Sequence, residues 1–160
     1  MKKRVLLVQL PPERYLERGI PYLQTHITKN RHPLYISFQR PEANLKEHFT
    51  RNNIDNIEII DLASELATAP PENIDLDNII TTIYKASLKH KELVVFIDSL
   101  STILLYKPLS ELLRLSEVLI RLAKQKQKIL LLLGIASDFA SKEFVKNIAL
   151  LADDIVTPNP

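Results

Sequence analysis

Apolar positions along the chain fall into short unbroken runs, separated by longer stretches in which they recur at helical spacing. Val5–Val8 is apolar throughout and predicts a buried strand, ended by Pro11-Pro12. Tyr15, Leu16, Gly19, Tyr22, Leu23, His26 and Ile27 then follow a helical period over 13–28, and Pro21 is expected to kink or restart that helix. Leu34–Phe38 predicts a second strand. Pro41 closes it and opens a helix to about Asn52, with Leu45 and Phe49 four apart on its inner face. Ile57–Ile60 predicts a third strand. Residues 62–74, with Pro70, Pro71 and small polar side chains, read as a loop. Asp75 or Asp77 is expected to cap a helix carrying Ile79, Ile80, Ile83 and Tyr84. Leu93–Ile97 and Ile129–Leu133 are the fourth and fifth strands. Between them the longest helix runs from Pro108 to about Gln125. A helix near Ser141–Leu151 and a short strand, Asp154–Thr157, complete the pattern.

Strands and helices alternate, and the central strands are apolar on both faces. This predicts an α/β fold of three layers, a mainly parallel central sheet flanked by helices on both faces. With 160 residues and no internal repeat or linker, the whole of 1–160 reads as one domain.

Composition narrows the chemistry. There is no cysteine, which excludes disulfides, thiolate metal ligands and cysteine nucleophiles. The longest strongly apolar runs are far shorter than the roughly 20 residues of a membrane span, and the N-terminal apolar stretch is too short for a signal peptide. A cytoplasmic protein without membrane contact is expected. The chain has 10 prolines but only 2 glycines, Gly19 and Gly134, where backbone cradles for phosphate usually need several.

Net charge is +2, too small to imply nucleic-acid binding, and no basic stripe is interleaved with aromatics. The charge is unevenly spread. Residues 1–50 carry 9 Lys/Arg against 4 Asp/Glu, and residues 51–100 carry 4 against 9. Such asymmetry can steer like chains together or select a partner.

In an open parallel sheet, ligands sit beyond the carboxyl ends of the strands. After the first strand stand Leu10-Pro11-Pro12-Glu13-Arg14-Tyr15-Leu16-Glu17, after the second Gln39 and Arg40, and after the fourth Asp98, Ser99 and Ser101. Asp98 is either a metal carboxylate or a turn cap, and the serines fit the second role. His26, His32, His48 and His90 lack the local spacing of a metal site and read as surface or packing residues. Ser37, Ser99 and Ser137 have no evident His/Asp partner. Asp153 and Asp154, adjacent on a strand, face opposite ways and cannot share a substrate easily. Arg121, Lys124, Lys126 and Lys128 suit the end of a helix better than a phosphate patch. No metal and no cofactor is expected.

Several stretches together resemble the RecA/KaiC-like ATPase family over nearly the whole chain: Val5-Leu6-Leu7-Val8 before the Pro-Pro turn, Leu34-Tyr35-Ile36-Ser37-Phe38-Gln39-Arg40-Pro41-Glu42, Ile57-Glu58-Ile59-Ile60-Asp61-Leu62, Leu93-Val94-Val95-Phe96-Ile97-Asp98-Ser99-Leu100-Ser101 and Ala152-Asp153-Asp154-Ile155-Val156. The resemblance implies a RecA-like fold. It also implies a P-loop, G-x-x-x-x-G-K-[ST], after the first strand. In that register the two glycines fall at Leu10 and Tyr15, the lysine at Leu16 and the hydroxyl residue at Glu17, so all four positions fail. Leucine cannot neutralise a phosphate, and glutamate adds negative charge where a triphosphate would lie. Gln39 and Arg40 stand where the family often carries glutamates that activate water, and neither can accept a proton there. Asp98 occupies the place of the Walker B aspartate.

The resemblance therefore implies a pseudo-ATPase. Active RecA-like relatives assemble so that one subunit completes the next one's site, and the chain also resembles the Elongator small subunits, RecA-like folds without ATPase motifs. Self-association, or pairing with a RecA-like paralogue, is the expected partnership. The alternative is a sensor that binds an anion or nucleotide-like ligand, or a residual ATP-binding protein, using the pocket after the first, second and fourth strands, with Arg14, Arg18 and Arg40 near Gln39, Asp98 and Ser99.

Overall fold

The computed structural model describes residues 4–138 and 142–158. Six strands form one sheet: β1 (Val5–Leu10), β2 (Arg31–Ser37), β3 (Glu58–Asp61), β4 (Glu92–Ile97), β5 (Ile129–Ala136) and β6 (Asp154–Val156). Their order is β3-β2-β4-β5-β1-β6, and every neighbouring pair is parallel. Successive strands move outward from β2 to β3, then back past β2 to β4 and β5, and finally past β1 to β6.

The period of two along each strand divides the core between the two faces. Val5, Leu7, Leu34, Ile36, Leu93, Val95, Ile97, Leu131 and Leu133 face one side. They pack against α4 (Asp77–Lys89), α6 (Leu109–Lys126) and α7 (Lys142–Leu151) through Ile79, Ile83, Leu112, Leu119, Phe144 and Ile148. Leu6, Val8, Leu10, Tyr35, Val94, Phe96 and Leu132 face the other side, covered by α1 (Tyr15–His26) and α2 (Glu42–Arg51) through Leu16, Ile20, Leu23, Leu45 and Phe49. The expected three layers are therefore present.

Three local expectations are corrected. Residues 62–74 are not a loop: α3 (Leu62–Thr68) and a single turn of 3-10 helix, Pro71–Asn73, occupy most of the segment. Asp61 supplies the missing start signal. Its carboxylate accepts from the Ser64 N–H (2.8 Å) and hydroxyl (2.6 Å), while Leu62 and Leu66, four apart, pack on the core. The first helix runs through Pro21 as one continuous element and does not restart there. The cap position of α4 is Leu76 rather than either aspartate, yet Asp75 does cap in effect, accepting from the Asp77 N–H at 2.9 Å.

A short helix not foreseen, α5 (Leu100–Ile103), follows β4. Ser141, expected to begin the last helix, lies outside the described residues. No described helix is long and apolar enough to cross a membrane.

Asp153 fastens the sheet edge. Its Oδ2 accepts from the Arg4 and Val5 N–H groups at 2.7 and 2.9 Å, and Lys124 lies 3.6 Å from its other oxygen. Lys124 also donates to the Leu151 carbonyl at the end of α7 (2.6 Å), tying α6 to a different helix's C-terminus. Arg121 pairs with Glu117, and Lys126 lies over the Tyr84 ring.

Leu119 is buried in the core and Arg121 is exposed two residues further along the same helix. Leu119→Ala is expected to cost about 2–5 kcal/mol in urea unfolding, and Arg121→Ala less than about 1 kcal/mol despite its ion pair.

Candidate functional site

The carboxyl ends of β1, β2 and β4 converge beside α1 and α5. β1 ends on Leu10 and β4 on Ile97, β2 ends on Ser37, and the polar residues Glu13, Glu17, Gln39, Arg40, Asp98 and Ser99 follow these three strands at this end of the sheet. Pro11 is extended, Pro12–Arg14 form one 3-10 turn, and α1 begins at Tyr15. This connection is tight, and the side chains at its far end turn inward. Tyr15 and Leu16 are both buried, at 5% and 3% exposure, and belong to the α1 face of the core.

Asp98 follows β4 and is fully buried. Its Oδ1 accepts from the Phe38 N–H at 2.8 Å. Its Oδ2 accepts from the Tyr35 hydroxyl at 3.2 Å and, more weakly, from the Ser37 hydroxyl at 3.3 Å, whose single proton is shared with the nearer Arg40 carbonyl at 2.6 Å. The Asp98 N–H donates to the Ile36 carbonyl at 3.1 Å, and the Asp98 carbonyl accepts a short hydrogen bond from the Tyr15 hydroxyl. One residue thus joins β4 to the end of β2 through its side chain and to the start of α1 through its backbone. Burial pushes the Asp98 carboxyl up from 3.8 to about 7, against the hydrogen bonds from Phe38, Tyr35, the Gln39 backbone and Ser37, which lower it. Burial first, and the Asp98 charge second, raise the Tyr15 and Tyr35 phenols well above their usual value, so both remain hydrogen-bond donors.

Ser99 is buried and caps α5, accepting from the Thr102 N–H at 3.1 Å and the Thr102 hydroxyl at 2.8 Å. Ser101 accepts from the Ala136 N–H at 2.9 Å. The serines after β4 are thereby engaged in joining α5 to its neighbours.

Above this buried layer lies a crevice of about 420 Å³, lined by Glu13, Leu16, Glu17, Gln39, Arg40 and Tyr106 among others. The structure separates the residues singled out from sequence. Gln39, Arg40, Tyr15, Leu16 and Glu17 border the crevice, whereas Asp98 and Ser99 lie beneath it and do not line it. Arg14 instead borders a different and larger groove of about 860 Å³, between α1 and the end of β6, together with Glu13, Glu17, Arg18 and Tyr22. Leu10 is buried, its carbonyl accepting from the Ser137 N–H at 2.8 Å. A shared site built from Arg14, Arg40 and Asp98 is not assembled.

Sequence reasoning missed the partners of Asp98, which are Tyr35, Ser37 and the Phe38 N–H. It also missed the lining residues Thr102 and Tyr106. One signal was available. Gly134 interrupts an apolar strand, the usual mark of close backbone approach. A Cβ on Gly134 would overlap the Asp98 carbonyl and come within 3.0 Å of the Tyr15 hydroxyl.

His32 and His90 stack, with ring centroids 3.7 Å apart at 7°, and Glu58 lies 3.8 Å from His32. They sit at the opposite end of the sheet, before β4 and at the starts of β2 and β3.

The arrangement of strands and helices matches solved structures across nearly the whole chain. A KaiC-like protein from the hyperthermophilic archaeon Pyrococcus horikoshii superposes with a TM-score of 0.61 at 14% identity, covering 97% of this chain and 70% of that one. The chain has a RecA-like fold. An uncharacterized protein from Pyrococcus horikoshii, solved in complex with an unknown peptide, superposes with a TM-score of 0.65 at 15% identity, covering 98% and 78%. No protein-family model matches the sequence, and no curated protein matches it.

Gly134→Ala is expected to destabilise the protein by at least about 2 kcal/mol in urea unfolding, because the added carbon meets backbone rather than a movable side chain. The Asp98 carboxyl has a second consequence. Its pKa in the folded state lies above its unfolded value, so its contribution is fully present below about pH 4 and is lost as pH rises to about 7. Asp61 and Asp153, whose pKa values are lowered, and His26 and His32, also lowered, make stability rise with pH instead. The difference between Asp98→Asn and wild type isolates the Asp98 share. That difference should shift in favour of the variant by an amount of order 3 kcal/mol between pH 4 and pH 8, measured by urea unfolding at each pH. A flat difference would mean that Asp98 titrates normally.

Proposed function

We propose that this RecA-like domain does not hydrolyse nucleotide and works through its surfaces, as a scaffold or regulatory subunit in an assembly with further copies of itself or with a RecA-like paralogue. The observation that carries the reading is the filled β1–α1 connection. Leu16, where the family resemblance puts the P-loop lysine, is buried in the core, and the hydroxyl of Tyr15, where it puts a glycine, is spent on the Asp98 carbonyl.

The charges of the crevice support the same reading. Glu13 and Glu17 border it, and Arg40 is its one cation among the described lining residues. Like charges 4 Å apart repel by about 4 kcal/mol at an effective dielectric of 20, and each 1.4 kcal/mol is tenfold in affinity. The competing reading, an anion sensor, gains little from this lining, because Arg14 belongs to the other groove. Asp98 is hydrogen-bonded three times over, so recruiting it as a magnesium ligand would break bonds to β2 without replacing their donors.

Support for a working surface comes from Tyr106, which lines the crevice after α5, and its chain neighbour Leu105. Leu105 is 76% exposed and Tyr106 37%. Solvent-facing apolar groups beside a site position suit a contact between subunits of the kind RecA-like relatives form.

Magnesium-ATP at millimolar concentration is expected to leave the melting temperature unchanged, while light scattering gives a mass above one chain, or shows assembly on addition of a RecA-like paralogue. Leu105→Asp should leave melting unchanged and reduce that assembly at least tenfold in Kd. A monomer at high concentration that ATP stabilises by several degrees would contradict the proposal.

A further inference from the structure

At the amino ends of the strands, away from the crevice, three side chains from separate parts of the chain meet. His32 lies at the start of β2, Glu58 opens β3, and His90 occupies the two-residue connection between α4 and β4. The strand period puts His32 on the same face as Leu34 and Ile36, and Glu58 on the face of Ile60. Parallel pairing sets Glu58 opposite Leu34, two residues along β2 from His32. His90 comes down onto that face directly from the end of α4, and its ring lies flat against that of His32.

We propose that His32, Glu58 and His90 form a binding site for one divalent transition-metal ion, with Zn²⁺ the best fit. Two imidazoles and one carboxylate are a donor set that zinc favours, and three protein ligands leave a position for water or for a group from another molecule. One donor atom from each of the three residues lies within 4.8 Å of the other two, and His32 Nε2 is 3.8 Å from Glu58 Oε2. A tetrahedral ion with bonds of about 2.0–2.1 Å holds its donors about 3.3 Å apart, so closure requires movements of about an ångström. The lone pairs of the stacked rings lie in nearly parallel planes, and one ring must tilt for both to converge on one ion. His90 can supply that tilt, since it stands in a connection and not within a strand. The site is reachable: His32 is 24% and Glu58 47% exposed, and a cavity of about 350 Å³ opens beside the two histidines.

The ion would join the beginnings of three adjacent strands and fasten β3, the four-residue edge strand, to β2 and β4. Metal binding and folding stability would therefore be linked.

The test uses the full chain, stripped with chelator and dialysed, then titrated calorimetrically with ZnCl₂. Expected are one Zn²⁺ per chain, a raised melting temperature, and a visible Co²⁺ spectrum of four-coordinate type that Zn²⁺ abolishes and millimolar Mg²⁺ does not. His90→Ala and Glu58→Gln should each weaken binding at least tenfold with metal-free melting little changed, and His48→Ala should bind as wild type. His90→Ala and Glu58→Gln carry the test even if His32→Ala fails to fold. Absence of saturable binding, equal binding in both variants, or equal loss in His48→Ala would overturn the assignment.

Discussion

The Asp98 carboxylate at the end of β4 accepts three hydrogen bonds from the end of β2, and the layout of the candidate site follows from that contact. A buried carboxylate costs several kcal/mol unless its lone pairs are met. Here Phe38, Tyr35 and Ser37 meet them, and Asp98 is held under the crevice rather than inside it. The Tyr15 hydroxyl closes the same unit from the α1 side, through the Asp98 carbonyl. Gly134 on β5 allows the approach because it lacks a Cβ. Four elements meet at one aspartate, so a ligand that needed Asp98 would have to part β2 from β4.

The same closure extends along the connection from β1 to α1. The space between β1 and α1 is occupied by apolar groups that contribute to the core, Tyr15 and Leu16 among them. Burying such side chains stabilises by about 1.5–3 kcal/mol each. The polar groups that remain at the rim, Glu13, Glu17, Gln39 and Arg40, are exposed to water or to a partner.

The sheet was legible in the sequence because its strands are continuous apolar runs of β-branched and leucine residues, and the helices because of the spacing of residues such as Leu112, Leu115 and Leu119. The stretch after Asp61 is opaque in the sequence because its prolines, Pro70 and Pro71, lie beyond α3, while the start of that helix depends on one aspartate bonding to Ser64. At the site, the positions were legible but their depth was not. Nothing local in Ile97-Asp98-Ser99 says that Phe38 N–H and Tyr35 will surround the carboxylate, because those contacts arise from the pairing of β2 with β4. The meeting of His32 with His90 escaped for the same reason: proximity across strands leaves no spacing to read along the chain.

Amide hydrogen exchange at Phe38, with and without magnesium-ATP, tests the closed Asp98 unit most directly. If the carboxylate holds that N–H as described, Phe38 exchanges as slowly as the central amides of β4, and nucleotide leaves its rate unchanged. Exchange as fast as in the neighbouring exposed residues Gln39 and Arg40, or a change in protection on adding magnesium-ATP, would contradict it.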